Sequence, residues 1–267
     1  SGLPRLTRLR TLHLNHIQNI PGFAALSKMV NLEELYLNNN GCVKTCSGVL
    51  GRLPRLRVLD LGETLVSTLD VGLPPSLTTL NLEFCHLLPK NVIVEALSSL
   101  SALRCLNVTS IHGSSSDLLR AIPKTVEHVV CSFRSREWVG FVHLGHLQRL
   151  TSLRIYGRPF ASARQLAVLP LEQLVSLEIE DCQDFTEGDL KCLERLTRVE
   201  SLCLQDCIRA GDRLFSYLRS LHLRRLRICS SNVTNRGVRH LARMSQLHTL
   251  ELCSSRRLEP DAPRHFP

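Results

Sequence analysis

Eleven cysteines and eleven histidines are the side chains of this 267-residue sequence best suited to metal binding or nucleophilic chemistry. Cys42-x-x-x-Cys46 and Cys203-x-x-x-Cys207 have the spacing of zinc half-sites, but neither has a second half at suitable distance. The histidines are scattered, and His13, His16 and His128 are expected on a solvated strand face. There is no Gly-x-Ser-x-Gly elbow, no His-Glu-x-x-His pair and no nucleotide loop. Gly41-Cys42-Val43-Lys44-Thr45 lacks the glycine that must directly precede the lysine of a phosphate cradle. The sequence therefore predicts no enzyme activity, no cofactor, no metal and no small-molecule substrate.

The elements that would position any site are set by repetition. The phrase apolar-x-x-apolar-x-apolar starts at Leu9, Leu32, Leu56, Leu77, Leu103, Val126, Leu150, Leu174, Val199, Leu223 and Leu247, at intervals of 21 to 26 residues. A near-constant period of this size marks a stacked array, because one such repeat cannot bury its apolar side alone. In Leu32-x-x-Leu35-x-Leu37, alternation sends Leu35 and Leu37 to one side and Glu34, Tyr36 and Asn38 to the other, which predicts a short strand. Between strands there is room only for a turn, a brief helix and a turn back, so the eleven strands are expected to lie parallel in one sheet. Helical spacing is found at Ile93, Leu97 and Leu100, at Leu190 and Leu193 after Thr186-x-x-Asp189, and at Val238, Leu241 and Met244 after Thr234. Proline precedes several strands, as at Pro4, Pro54 and Pro74-Pro75, and favours an extended approach.

Leu32-x-x-Leu35-x-Leu37-x-x-Asn40, Leu77-x-x-Leu80-x-Leu82-x-x-Cys85 and Leu174-x-x-Leu177-x-Ile179-x-x-Cys182 resemble the leucine-rich-repeat signature, over almost the whole chain. The stretch from Cys182 to Leu190 is similar to the cysteine-containing repeats of many F-box proteins. The first repeats, with Ile17 and Ile20 before Leu26, resemble the short intracellular regulator type. This resemblance implies an α/β leucine-rich-repeat solenoid of about eleven repeats, with a curved parallel β-sheet on the concave face and short helices and turns on the convex face. Residues 1–267 are expected to form a single array, and both ends read as cut from a longer protein. At the ninth position of the repeat, Asn satisfies buried backbone groups, and Thr64, Cys85, Cys182, Cys207, Ser231 or Ser255 can do so in part. Arg134 and Arg158 cannot be buried there unpaired, so the turns near residues 131–160 are expected to swing outward.

Cysteines placed in step with the repeat, such as Cys85, Cys182 and Cys207, read as buried thiols of an intracellular, cytoplasmic protein. The sequons at Asn107 and Asn232 are discounted, since Asn107 falls inside a predicted strand. No apolar stretch approaches the roughly 20 residues needed to cross a bilayer.

The chain carries +9, from 33 basic and 24 acidic residues. Taking the third, fifth, seventh and eighth positions as concave places nine acidic residues there: Glu34, Asp60, Glu63, Glu83, Glu178, Glu180, Asp181, Asp206 and Glu251. Only three basic residues, Arg154, Arg225 and Arg227, share that face, so it carries −6 and the rest of the chain +15. An acidic wall repels phosphates and favours a basic protein segment. The aromatic residues Tyr36, Phe84, Phe133 and Tyr156 are expected beside these charges as recognition anchors. The sequence reading is a protein-interaction module that binds on its concave sheet. Two alternatives stand beside it: the substrate-recognition arm of an F-box or RING ubiquitin ligase, and a nucleic-acid or anionic-membrane binder working through the basic outer face.

Overall fold

The apolar triplet of each repeat sets the strands. In the computed structural model, which describes residues 5–17, 20, 23–46, 48–69, 73–111, 116–132, 140–157, 163–183, 185–229, 231–253 and 258, the chain forms two compact units, Ser1–Ser132 and Phe133–Pro267. The outward turns expected at Arg134 and Arg158 lie outside the described residues, as does Phe133.

The first unit holds β1 (Thr11–His13), β2 (Glu34–Tyr36), β3 (Val58–Asp60), β4 (Thr79–Asn81), β5 (Cys105–Val108) and β6 (His128–Ser132). The second holds β7 (Ser152–Tyr156), β8 (Ser176–Ile179), β9 (Ser201–Leu204), β10 (Arg225–Cys229) and β11 (Thr249–Cys253). Within each unit every strand pairs in parallel with the next, third position against third: Thr11, Glu34, Val58, Thr79, Cys105 and His128 in one, and Ser152, Ser176, Ser201, Arg225 and Thr249 in the other. This is the register read from the sequence. It is enforced by burial, because Leu32, Leu35, Leu37, Leu56, Leu59 and Leu61 are all fully enclosed, each contributing about 1.5–3 kcal/mol. A one-residue slip would expose the whole set.

Opposite the strands lie α1 (Lys90–Ser98), α2 (Ser116–Ala121), α3 (Arg213–Leu218) and α4 (Asn235–Val238), with 3-10 turns elsewhere, including Asp189–Arg195 and Arg239–Arg243. The expected helix starts are present. Thr186 and Asp189 cap each other, the Thr186 amide donating to Asp189 Oδ2 at 2.9 Å and the Asp189 amide to Thr186 Oγ1 at 3.4 Å. Thr234 Oγ1 accepts from the Arg236 amide at 3.2 Å, and Thr234 is itself held by Asp212, through its amide at 2.8 Å and its hydroxyl at 2.7 Å.

Two positions after each strand turn the chain back into the core. At the eighth, His16, Asn39, Glu63, Phe84, Ser110, Asp181 and Asp206 all have φ between 54° and 60°, and Gly157 has 82°. Left-handed backbone costs roughly 1–2 kcal/mol for an ordinary L-residue, and the neighbouring repeat offsets it. In the first unit the amides of His16, Asn39, Glu63 and Phe84 donate to Asn38, Gly62, Glu83 and Thr109 carbonyls at 2.7–3.0 Å. At the ninth, Asn40 is fully buried; its Oδ1 accepts from Ile17 N at 2.6 Å, and its Nδ2 donates to Leu14 O at 2.6 Å and Leu37 O at 2.7 Å. Its substitutes do less, as the sequence suggests: Thr64 Oγ1 reaches Leu61 O at 2.7 Å, Cys85 Sγ the same carbonyl at 3.0 Å, and Cys182 Sγ reaches Ile179 O at 3.5 Å. Burial pushes the Cys85 thiol up to about 11 and that of Cys182 well up as well, so both stay protonated at neutral pH.

Candidate interaction surface

In the first unit, the third, fifth and seventh positions project from the strands away from the leucine core. His13 and Tyr36 are register partners and their rings stack, with centroids 4.3 Å apart and planes within 4°. Tyr36 donates its hydroxyl to Glu34 Oε2 at 3.2 Å, and Thr11 Oγ1 lies 3.4 Å from the same oxygen. Burial and the Glu34 carboxylate push the Tyr36 phenol upward. Next along the unit runs an amide ladder: Asn81 Nδ2 donates to Asp60 Oδ1 at 2.8 Å, and Asn107 Nδ2 to Glu83 Oε2 at 3.2 Å. The carbonyl ends of Asn15, Asn81 and Asn107, with Asp60, cap the seventh-position amides of Asn38, Glu83, Thr109 and Gly62 at 2.9–3.0 Å. The carboxylates Asp60 and Glu83 are thereby fixed in place with acceptor capacity left over. Gly62 is needed here, because a Cβ would sit 2.7 Å from Asn38 Nδ2 and 3.1 Å from Asn81 Nδ2. Phe84, half-buried on its left-handed turn, meets His86 edge-on at 5.6 Å.

The second unit carries charge in both senses. Arg154 on β7 is ion-paired with its register partner Glu178 on β8. It also donates to the Tyr156 hydroxyl at 3.0 Å, and its guanidinium lies 5.7 Å from that ring. Arg227 and Glu251 pair likewise at 3.3 Å. Both arginines of these pairs are open to solvent, so each pair is worth under about 1 kcal/mol; their role is to fix side-chain positions. Glu180 is different. Burial, then the Glu178 charge, and further on Asp206, raise its pKa above the ordinary carboxylate value, against the pull of Arg154. Gln205 donates to Glu180 Oε1 at 3.3 Å. Burial also raises the Tyr156 phenol.

The predicted residues therefore fall into two separate groups. Glu34, Tyr36, Asp60, Glu83 and Phe84 line the first unit; Arg154, Tyr156, Glu178, Glu180, Asp181 and Asp206 line the second. Phe84, Asp181 and Asp206 sit on the left-handed turn beside the strand face. Tyr36 and Tyr156 are half-buried against His13 and Arg154. Sequence reasoning passed over Asn81, Asn107, Gly62 and Gln205, which organise the carboxylates. They were within reach, since all stand at the fifth or seventh position, but a search for charge and aromatic rings does not select amides or glycine. Of the cysteine pairs, Cys203 stands on the strand face and Cys207 is buried in the core, so one ion cannot join them readily. Among the described residues no group of three or more His, Cys, Asp or Glu is placed to hold a metal ion, and no helix is long and apolar enough to cross a membrane.

The description "Leucine Rich repeats (2 copies)" matches residues 7–49, and "Leucine rich repeat" matches residues 30–87. Among curated proteins none matches the sequence. Among solved structures, an internalin (InlF) from Listeria monocytogenes is 20% identical at a TM-score of 0.58, over 96% of this chain and 78% of that one. The functional domain of InlJ from Listeria monocytogenes, which includes a cysteine ladder, is 15% identical at 0.58, over 99% of this chain and 58% of that one. A leucine-rich-repeat protein of Leptospira interrogans is 15% identical at 0.56, over 98% of this chain and 88% of that one. At these identities the likeness is one of fold.

Proposed function

We propose that this chain, a leucine-rich-repeat protein, is a non-catalytic interaction module that holds a basic segment of a protein partner on the open face of its strands. Folds of this kind generally serve protein recognition, because stacking repeats creates a long ordered surface. The observation that carries the finer reading is the crowded set Glu178, Glu180 and Asp206, where burial first and then repulsion from the other two carboxylates hold the Glu180 pKa above its ordinary value. A lysine or arginine placed there by a partner relieves that repulsion, so the group contributes more to the complex than to the free protein. The first unit adds Glu34, Asp60 and Glu83 with Tyr36 and Phe84. The same reading puts the protein in a reducing, intracellular compartment, supported by eleven free thiols of which Cys182 and Cys207 touch in the core.

Panning a random peptide library against the protein tests this. Enriched peptides should be rich in Lys and Arg and should lose binding to a Glu180→Gln, Asp181→Asn, Asp206→Asn variant; Glu178 is left in place because it holds Arg154. Enrichment of neutral or acidic peptides, or undiminished binding by the variant, would refute the reading.

A further inference from the structure

The charges of the second unit are also segregated along the chain. Residues 169–206 contain ten acidic and three basic residues, whereas residues 207–248 contain nine arginines, no lysine and one acidic residue, Asp212. Asp212 is taken up internally, because both of its oxygens accept from Thr234. Arg224 and Arg227 pair with Glu200 and Glu251. Arg209, Arg213, Arg219, Arg236, Arg239 and Arg243 are all exposed, and among the described residues no carboxylate stands within ion-pairing distance of them.

The repeat packs together the helical segments that carry or end on five of these, with Arg209 in the turn that leads into α3. The element α3 packs against α4 and against the 3-10 turn Arg239–Arg243. Arg219 and Arg243 end the helical segments of consecutive repeats, each four residues before the next apolar triplet at Leu223 and Leu247. Fold stability does not account for the set. Arg219 and Arg239, at the C-caps of α3 and α4, suit the negative end of a helix. Arg213 stands in the first turn of α3, where the helix dipole opposes it.

We infer that this arginine surface, on the side of the second unit away from the strand face, binds the phosphodiester backbone of a nucleic acid without reading its sequence. The exclusive use of arginine fits the planar fork that grips two phosphate oxygens at once. A membrane-binding surface of this size adds apolar groups that enter the bilayer, and among the described residues of this stretch Ile208 is the one exposed large apolar side chain. The inference does not depend on the protein-binding face, since the acidic strand face and this surface share no residue.

The test is fluorescence anisotropy with a labelled duplex of roughly 25 base pairs at about 50 and about 200 mM salt. Six phosphate contacts predict an affinity loss on the order of a thousandfold between these conditions. An Arg219→Gln, Arg239→Gln, Arg243→Gln variant should bind more weakly and lower the salt slope by about 3. An Arg52→Gln, Arg55→Gln variant of the first unit should leave the slope unchanged. Thermal melts of the first-unit variant should overlay the parent, because both side chains are exposed, and the triple variant should melt only slightly lower, by what Arg219 and Arg239 contribute at their C-caps. Absence of duplex binding at the lower salt overturns the inference, as does a slope the triple variant does not change. Binding to phosphatidylserine vesicles in preference to the duplex assigns the surface to membranes and overturns it as well.

Discussion

Replacing Asn40 by Ala is the sharpest test of how the turns are held. The side chain serves three backbone groups, Ile17 N, Leu14 O and Leu37 O, at 2.6–2.7 Å in a fully buried site. Each bond contributes about 0.5–1.5 kcal/mol net, and a buried group left unpaired costs about 1–3 kcal/mol. Water entering the vacated space recovers part of this, so the expected loss is about 3 kcal/mol. Asn40→Thr provides an internal comparison. By analogy with Thr64, which keeps the bond to the carbonyl three residues back, it should retain Leu37 O, lose the other two, and cost about 2 kcal/mol. In a stacked array such losses are local. The assay is therefore hydrogen exchange at the Ile17 amide alongside urea unfolding. An Ala variant that costs less than about 0.5 kcal/mol, or whose Ile17 amide exchanges at the parental rate, would refute the account.

Two further outcomes follow from the candidate face. Because the folded-state pKa of Glu180 is raised, its ionisation opposes folding: stability is fully present below the unfolded-state pKa and declines as pH rises through the folded one. Glu180→Gln should accordingly melt at or above the parental temperature at neutral pH and lose that advantage in acid, while basic-peptide capture by the parent weakens as pH falls through the same range. A lower melting temperature for Glu180→Gln at neutral pH would show that burial and the neighbouring carboxylates do not disfavour its charge. Gly62→Ala should displace the Asn38 and Asn81 amides and cost about 1–3 kcal/mol, with shifts in both side-chain amide NMR resonances as the direct readout; unchanged resonances would refute the ladder.

Strand register was legible because leucine burial admits one solution: Leu35 and Leu59 can meet only if Glu34 meets Val58. The eighth position was not legible. Its residues include Phe84 and Glu63, which have no preference for left-handed backbone, and the conformation is imposed by ladder bonds from the next repeat and by the need to bury the ninth side chain. The 3-10 turns were similarly hidden, since apolar spacing marks which side of a segment is buried without fixing how tightly it winds. The amide ladder was hidden for another reason: beyond capping the amides two residues on, Asn81 and Asn107 hold Asp60 and Glu83, which lie 21 and 24 residues away.

The parallel register of the strands also acts as a ruler. Side chains at the fifth position of successive repeats stand about 4.8 Å apart, while an extended polypeptide advances about 3.3 Å per residue. A chain laid across the strands comes back into step after two strands and three residues. Asp60 is two strands from His13, and Cys203 is two strands from Arg154. On the proposed reading, an extended segment crossing either unit would bring every third residue into step with a fifth-position side chain, with the residues between out of step.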